Sequence, residues 1–337
     1  MKYAKLFSVL VGVVLLSYGA IGFYFLPMAS FEGDLTRTGL LPESQFGWRK
    51  PQPAVDIKWM QQATWAQADV LVIGDSFSDY RVWQTVLTQQ GLKVHTESWD
   101  AMRGICADFT PWLRAQGFAG KYVVLESIER NVPEILEKSV SCDKMQTHPS
   151  VRADAPRLPP AVSFDPDSRG FDGRLSIGIK VMRNYQHYQH LRSVPNFKPT
   201  VLPSGIKVAH ITDGCELFSH TRCNDALFLG SDKAEEIEAS VLKNIAILDK
   251  RIAGITPIWA FVPNKSTAYL YPNKQFWNQA EKHVHAPNLL RMTQQAIQAK
   301  TVDLYPANNT HFATKGYLLM GETIYQEIQA IAQSNHQ

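Results

Sequence analysis

Asp69-Val70-Leu71-Val72-Ile73-Gly74-Asp75-Ser76-Phe77-Ser78 is the stretch whose reading decides the fold. A run of apolar, largely β-branched residues leads straight into Gly-Asp-Ser, and a helix-like segment from Tyr80 follows. That order predicts a buried strand, a tight turn and a helix start, with one hydroxyl left at the turn. Open α/β sheets bind ligands at the carboxyl ends of their strands, where this serine falls. Backbone N–H groups at a helix start can also hold a developing negative charge. Asp and Ser are equally ordinary helix caps, so the rest of the chain must decide between a site and a cap.

Further strand-like runs recur at Lys93–Trp99, Lys121–Glu126, Thr256–Val262 and Thr301–Tyr305. Helical patterns lie between most of them: Tyr80–Gln90, Ala107–Gln116, Asp232–Ile252 with an Asp cap and acidic first turn, Phe276–Gln298 broken near Pro287, and Gly316–Ala332. Strands alternating with helices predict a doubly wound, mostly parallel sheet covered on both faces. Between the third and fourth strands the alternation fails. Ser141–Gly173 is proline-rich, Arg174–Leu191 is helical, and short β-like pieces (Gly205–Ile211, Ala226–Leu229) follow. We read about 140–231 as an insertion at an edge or rim of the sheet. His187 and His190 fall on the helical stretch, where a surface amphipathic face explains them better than a metal site.

The N-terminus sets the compartment. Lys2 and Lys5 precede an uncharged run from Leu6 to Leu26, ended by Pro27. At about 1.5 Å per residue this run can cross a hydrocarbon layer of roughly 30 Å. It exceeds the ~7–15 apolar residues of a cleaved signal and lacks a small-residue cleavage site. It reads as an uncleaved signal anchor over residues 1–27, spanning at 6–26, with the lysines on the cytoplasmic side and everything beyond exported. We therefore expect a single-pass protein of the inner (cytoplasmic) membrane whose main domain faces the periplasm. Residues 28–64 read as a juxtamembrane segment and 65–337 as the α/β domain.

Cysteine usage agrees with export. Cys215 and Cys223 can close a short loop, leaving Cys106 to reach Cys142, and an even count suits disulfides in an oxidising compartment. A zinc site is the competing reading, but no CxxC pair exists. A formal charge of +3 without a long basic run argues against nucleic acid as a partner. Eight Trp and twelve Tyr are compatible with a carbohydrate-facing groove, although aromatic residues also fill cores.

Near the C-terminus, Tyr305-Pro306-Ala307-Asn308-Asn309-Thr310-His311-Phe312 reads as a strand end, a polar loop carrying a histidine, and a helix beginning soon after. A serine hydroxyl is a weak nucleophile until a base takes its proton, and His is the base suited to neutral pH. Together, Ile73-Gly74-Asp75-Ser76-Phe77-Ser78 and Asn308-Asn309-Thr310-His311-Phe312, with Gly316-Tyr317, resemble the SGNH (GDSL) hydrolase superfamily. Val124-Leu125-Glu126-Ser127-Ile128-Glu129-Arg130 and Val262-Pro263-Asn264-Lys265-Ser266-Thr267-Ala268-Tyr269 resemble strand ends of its alginate-type O-acetyltransferase branch. The likeness covers about residues 65–330 apart from the insertion.

The resemblance implies a flavodoxin-like doubly wound α/β fold of SGNH type, with an N-terminal transmembrane helix and an inserted subdomain. It implies Ser76 as nucleophile and His311 as general base, with oxyanion donors from Ser76, Gly104 and Arg130; the superfamily's usual asparagine is absent unless Asn131 substitutes. Arg130 has an alternative as a salt-bridge partner of Glu129 or Glu126. The triad acid is replaced by Asn309 and Asn308; Asn309 can orient the imidazole but cannot offset its charge. Asp303 is a further candidate acid. Asp75, Asn308 and Lys265 are supporting residues, with Asp75 bracing the turn. No cofactor and no metal are implied.

The expected activity is transfer of an acyl group through acyl-Ser76 onto an envelope or extracellular polysaccharide, the acyl donor being delivered by a multi-span membrane acyltransferase. A carbohydrate O-acetyl esterase with the same residues is the alternative enzyme. A catalytically degenerate domain that binds glycan or scaffolds a membrane acetylation complex is the alternative outside enzymology.

Overall fold

The structure is a computed structural model and describes residues 2–25, 32–146, 158–164, 175–194 and 197–334. Seven strands occur among them: β1 (Val70–Gly74), β2 (Val94–Ser98), β3 (Tyr122–Ile128), β4 (Thr200–Val201), β5 (Ile206–His210), β6 (Asp225–Leu229) and β7 (Thr256–Val262). The chain divides into two compact units. One comprises Met1–Pro51, Pro160–Ser231 and Tyr305–His311; the other comprises Gln52–Pro159, Asp232–Leu304 and Phe312–Gln337.

The larger unit is a mixed α/β body around a four-stranded parallel sheet in the order β2-β1-β3-β7. Val70 pairs with Val94 on one side and Tyr122 on the other, so β1 is central. All five β1 residues are buried, which is why its sequence is continuously apolar rather than alternating. From β1 the chain goes first to one neighbour and then to the other, opening a crevice beyond the carboxyl end of β1. Leu71, Ile73, Val123, Leu125, Trp259 and Phe261 pack on one face against Phe109 and Leu113 of helix Phe109–Ala115, Leu136 of helix Val132–Val140, and Ile245 and Leu248 of helix Ala239–Arg251. Helix Thr314–Ser334 packs between Gln84–Gln89 and Leu289–Gln298, which lie against β2 and β7 respectively.

Two expected elements differ. Thr301–Tyr305 is a turn, because Lys300 and Asp303 adopt φ of 55°, which breaks an extended run. The helix expected from Asp232 starts at Ala239. Asp232 is buried instead and accepts from Ser266 Oγ at 2.8 Å, while Glu236 accepts from the backbone N–H groups of Gln275 and Phe276 and so caps a different helix, Phe276–His283. The acidic pattern is real; its partners are distant.

The smaller unit contains the antiparallel sheet β4-β5-β6. Its core is Leu35, Leu41 and Phe46, with Tyr185 and Tyr188 from helix Leu175–Ser193 and Ile206, Val208 and Leu227 from the sheet. The stretch read as juxtamembrane thus supplies core residues from two short helices, Asp34–Gly39 and Glu43–Phe46. Leu227 N–H donates to Ala307 O at 2.9 Å and Leu35 N–H to Asn308 O at 3.0 Å, which fixes the 305–311 segment.

Helix Lys2–Phe25 contains an 18-residue window with a mean hydropathy of 2.2 and is long and apolar enough to cross a membrane as an anchor or a signal. Its Gly22 backbone lies against Gly178 so closely that a β-carbon at 178 would stand 2.3 Å from Gly22 Cα. Both disulfides form, Cys106–Cys142 and Cys215–Cys223, as an oxidising compartment allows.

Candidate functional site

Beyond β1, Asp75 caps the short helix Ser76–Asp79. Its Oδ1 accepts from Phe77 N–H at 3.0 Å and its Oδ2 from Ile128 N–H at 2.8 Å, so one carboxylate ties the β1 turn to the end of β3. Glu126, fully buried, accepts through Oε2 from Asp75 N–H at 3.0 Å and Ser78 Oγ at 2.7 Å. Burial, then the adjacent Asp75 charge, drives the Glu126 carboxyl well above the usual carboxylate range. A β-carbon at Gly74 would lie 2.2 Å from Ser78 Oγ and 2.7 Å from Glu126 Oε2; only glycine admits this brace. Phe77 is buried edge-to-face against Phe312, centroids 5.5 Å apart, and against Tyr317. Ser76 itself is exposed.

Ser76 opens onto a cavity of about 400 Å³ between the segments that follow β1, β2 and β3. Ser98, Trp99 and Asn131 line it, and Asp79, Asp100 and Glu134 make it acidic against a single Lys138, itself paired with Glu134 at 2.5 Å. Asn131 is where the resemblance leaves a gap for an asparagine. Gly104 (φ 140°) and Arg130 are not among these lining residues. Gly104 is buried against Ser139, whose Oγ accepts the neighbouring Ile105 N–H at 3.1 Å. Arg130 donates to Asn264 Oδ1 at 3.1 Å and lies 3.7 Å from Asp232. Glu129 is instead taken by Lys274 and by Asn264 N–H. Lys265 is buried at the start of helix Lys265–Tyr269. Asp303 is buried in its turn.

His311 sits in the smaller unit. Asn309 Oδ1 accepts the His311 backbone N–H at 3.0 Å and lies 3.1 Å from His311 Nδ1. Sequence reasoning missed the group beside it: Asp34 Oδ2 is 3.4 Å from the same Nδ1. Asp34 also accepts from Thr310 N–H at 2.9 Å and from the Thr310 hydroxyl. Burial alone would raise its pKa; the hydrogen bond and charge of His311, with the Thr310 bonds, outweigh that and hold it below the ordinary carboxylate value. An acid therefore serves the imidazole although neither residue 308 nor 309 is one. Its only sequence signal is an acidic residue opening a short helix, at the opposite end of the chain.

Behind this loop lies a buried polar knot. Asn308 Nδ2 donates to Glu43 Oε1 at 2.5 Å and Ser163 Oγ at 3.0 Å. Glu43 Oε1 also accepts from Ser163 Oγ and, at 3.3 Å, from Gly33 N–H. Its Oε2 meets Thr36 Oγ1, which bonds Gly33 O at 3.0 Å. The single Thr36 proton cannot serve both oxygens fully, so a proton on Glu43 Oε2, donated to Thr36 Oγ1, completes the knot. Burial, opposed by these bonds, pushes the Glu43 carboxyl up to about 7. Among the described residues no cluster of three or more His, Cys, Asp or Glu side chains is arranged to hold a metal ion.

Compared with known proteins, the chain matches no family model, no curated protein and no solved structure.

Proposed function

We propose that this chain is an SGNH-type serine acyltransferase of the cell envelope, anchored by Lys2–Phe25 and acting on a polysaccharide. Ser76 Oγ attacks the acyl carbonyl and passes its proton to His311 Nε2. The leaving group takes that proton, and acyl-Ser76 forms. A sugar hydroxyl then attacks the ester with His311 again as base. Asp34 holds the Nδ1 side of the ring and offsets the imidazolium charge, with Asn309 orienting the ring. The Ser76 N–H and Asn131 Nδ2 are the oxyanion donors that the cavity favours. The acyl donor arrives through a multi-span membrane acyltransferase.

The observation that carries the reading is the packing of Phe77 on Phe312, the residues that directly follow Ser76 and His311 in the chain. The exposure of Ser76 favours a second reading, hydrolysis, since water reaches the acyl-enzyme. A fluorophosphonate probe on membranes carrying the full chain tests the enzyme: labelling disappears in Ser76→Ala and falls sharply in His311→Ala. A native protein that takes no label refutes it and points to a glycan-binding or scaffolding role. An activated acetyl ester, supplied with and without oligosaccharide, then separates transfer from hydrolysis.

A further inference from the structure

The smaller unit holds a second cavity, of about 440 Å³, between the end of helix Leu175–Ser193 and the β5–β6 connection that Cys215–Cys223 closes. None of the chemistry assigned to Ser76 uses it. Asp225, the first residue of β6 and 3% exposed, lines it. One carboxylate oxygen, Oδ2, accepts from the Tyr188 hydroxyl at 2.6 Å and pairs with Arg192 Nε at 2.5 Å. The other, Oδ1, is buried with no hydrogen-bond donor among the described residues; His210 Nδ1 is 3.5 Å away, outside hydrogen-bond geometry. A buried carboxylate oxygen left in that state is costly, and a ligand hydroxyl would satisfy it.

Two guanidinium groups share the lining. Arg192 is fixed by Asp225 and lies over the Phe197 ring at 5.1 Å. Arg222 is fixed through Nε by the Tyr185 hydroxyl (3.0 Å) and Gln45 Oε1 (3.2 Å), and through Nη2 by the same hydroxyl. Both terminal nitrogens of Arg192 and Nη1 of Arg222 make no hydrogen bond among the described residues. Two immobilised guanidinium groups with unspent donors suit a carboxylate or phosphate, because the ordering cost of the side chains has already been met by the fold. The volume lies within the ~300–1,000 Å³ range of small-ligand sites.

We propose that this cavity binds an acidic sugar unit, its anionic substituent held by Arg192 and Arg222 and a ring hydroxyl donating to Asp225 Oδ1. The site stands apart from the acyl-transfer reading and does not depend on it. The test uses the full chain in detergent micelles, with saturation-transfer NMR and calorimetry. The probes are a glucuronate tetramer, mannose 6-phosphate, a cellulose tetramer, a glucosamine tetramer and inorganic phosphate alone.

At least one acidic sugar binds, at least tenfold more tightly than the neutral and amine-bearing tetramers, and which one binds assigns carboxylate or phosphate. Arg222→Gln weakens that binding at least tenfold, and Thr221→Trp, at an exposed rim position, blocks the cavity without touching the knot of bonds at Asp225. Fluorophosphonate labelling of both variants stays native, so failure here is distinguishable from failure at Ser76. The proposal is overturned if neither acidic sugar binds, if neutral tetramer binds as well, if free phosphate binds as tightly as the sugars, or if both variants bind like the native chain.

Discussion

Replacing Glu43 by Gln perturbs one carboxyl in the knot behind the His311 loop, and the structure sets the size of the effect. In the fold this group keeps its proton up to about pH 7, against an ordinary value of 4.5. Below 4.5 both folded and unfolded chains carry the proton, and the stability it supports is complete. Between 4.5 and 7 the unfolded chain releases it and the folded chain does not, so stability falls with rising pH at about 1.4 kcal/mol per pH unit. The accumulated loss at pH 8 is about 3 kcal/mol. Glutamine mimics the protonated acid here: its amide donates to Thr36 Oγ1 while its oxygen keeps the Asn308, Ser163 and Gly33 donors. The variant therefore lacks this pH slope. Thermal unfolding of both full-length proteins in detergent, from pH 4.5 to 8, is expected to show the variant gaining on the native chain as pH rises, by about 5 °C. Difference infrared spectra should show a protonated carboxyl stretch titrating near neutrality, absent from the variant. Unfolding profiles that stay parallel across this range would refute the neutral-acid reasoning.

Asp34→Asn removes the charge beside His311 Nδ1 while keeping the shape, and fluorophosphonate labelling should slow by about 10²–10⁴, within the loss known for a triad Asp→Asn change; Asn309→Ala should cost far less, and equal effects would remove Asp34 from its assigned role. Gly74→Ala drives a methyl into Ser78 and Glu126, so labelling at Ser76 should vanish even where protein accumulates; native labelling would show that the brace is dispensable. The acidic cavity should favour cationic acyl esters: acetylthiocholine should show a lower KM than an anionic acetyl ester of similar reactivity, with the gap closing as salt rises. Serine at both Cys106 and Cys142 removes a cross-link across 36 residues and should destabilise the chain by about 4 kcal/mol, read by denaturant titration.

The central strand was legible because burial on both faces leaves an uninterrupted apolar run, and Val70–Gly74 is such a run. Both cysteine pairs followed from spacing and an even count. What escaped were roles created by distant partners. Glu236 looks like the acidic first turn of its own helix, yet its carboxylate caps Phe276–His283. Thr301–Tyr305 has strand composition, but left-handed Asp303 within it and Lys300 just before it turn the chain, and composition does not report φ. Asp34 lies in a segment without periodicity because its helix spans only six residues, too short for a hydrophobic repeat to register. Its meeting with His311 depends on the pairing of Leu35 with Asn308, which local sequence cannot announce.

Gly22 and Gly178 give the apolar helix a second identity. A membrane tether usually ends where the folded body begins, and can be cut away to yield a soluble fragment. Here the apolar helix Lys2–Phe25 packs against helix Leu175–Ser193 of the smaller unit, so the segment proposed as the tether is also part of that unit's packing. Cutting at Pro27 would strip cover from Gly178, which the intact chain buries against Gly22. Under the proposed anchoring, the unit would have no free swivel about its own stalk, because a glycine-to-glycine seam would replace a flexible leash.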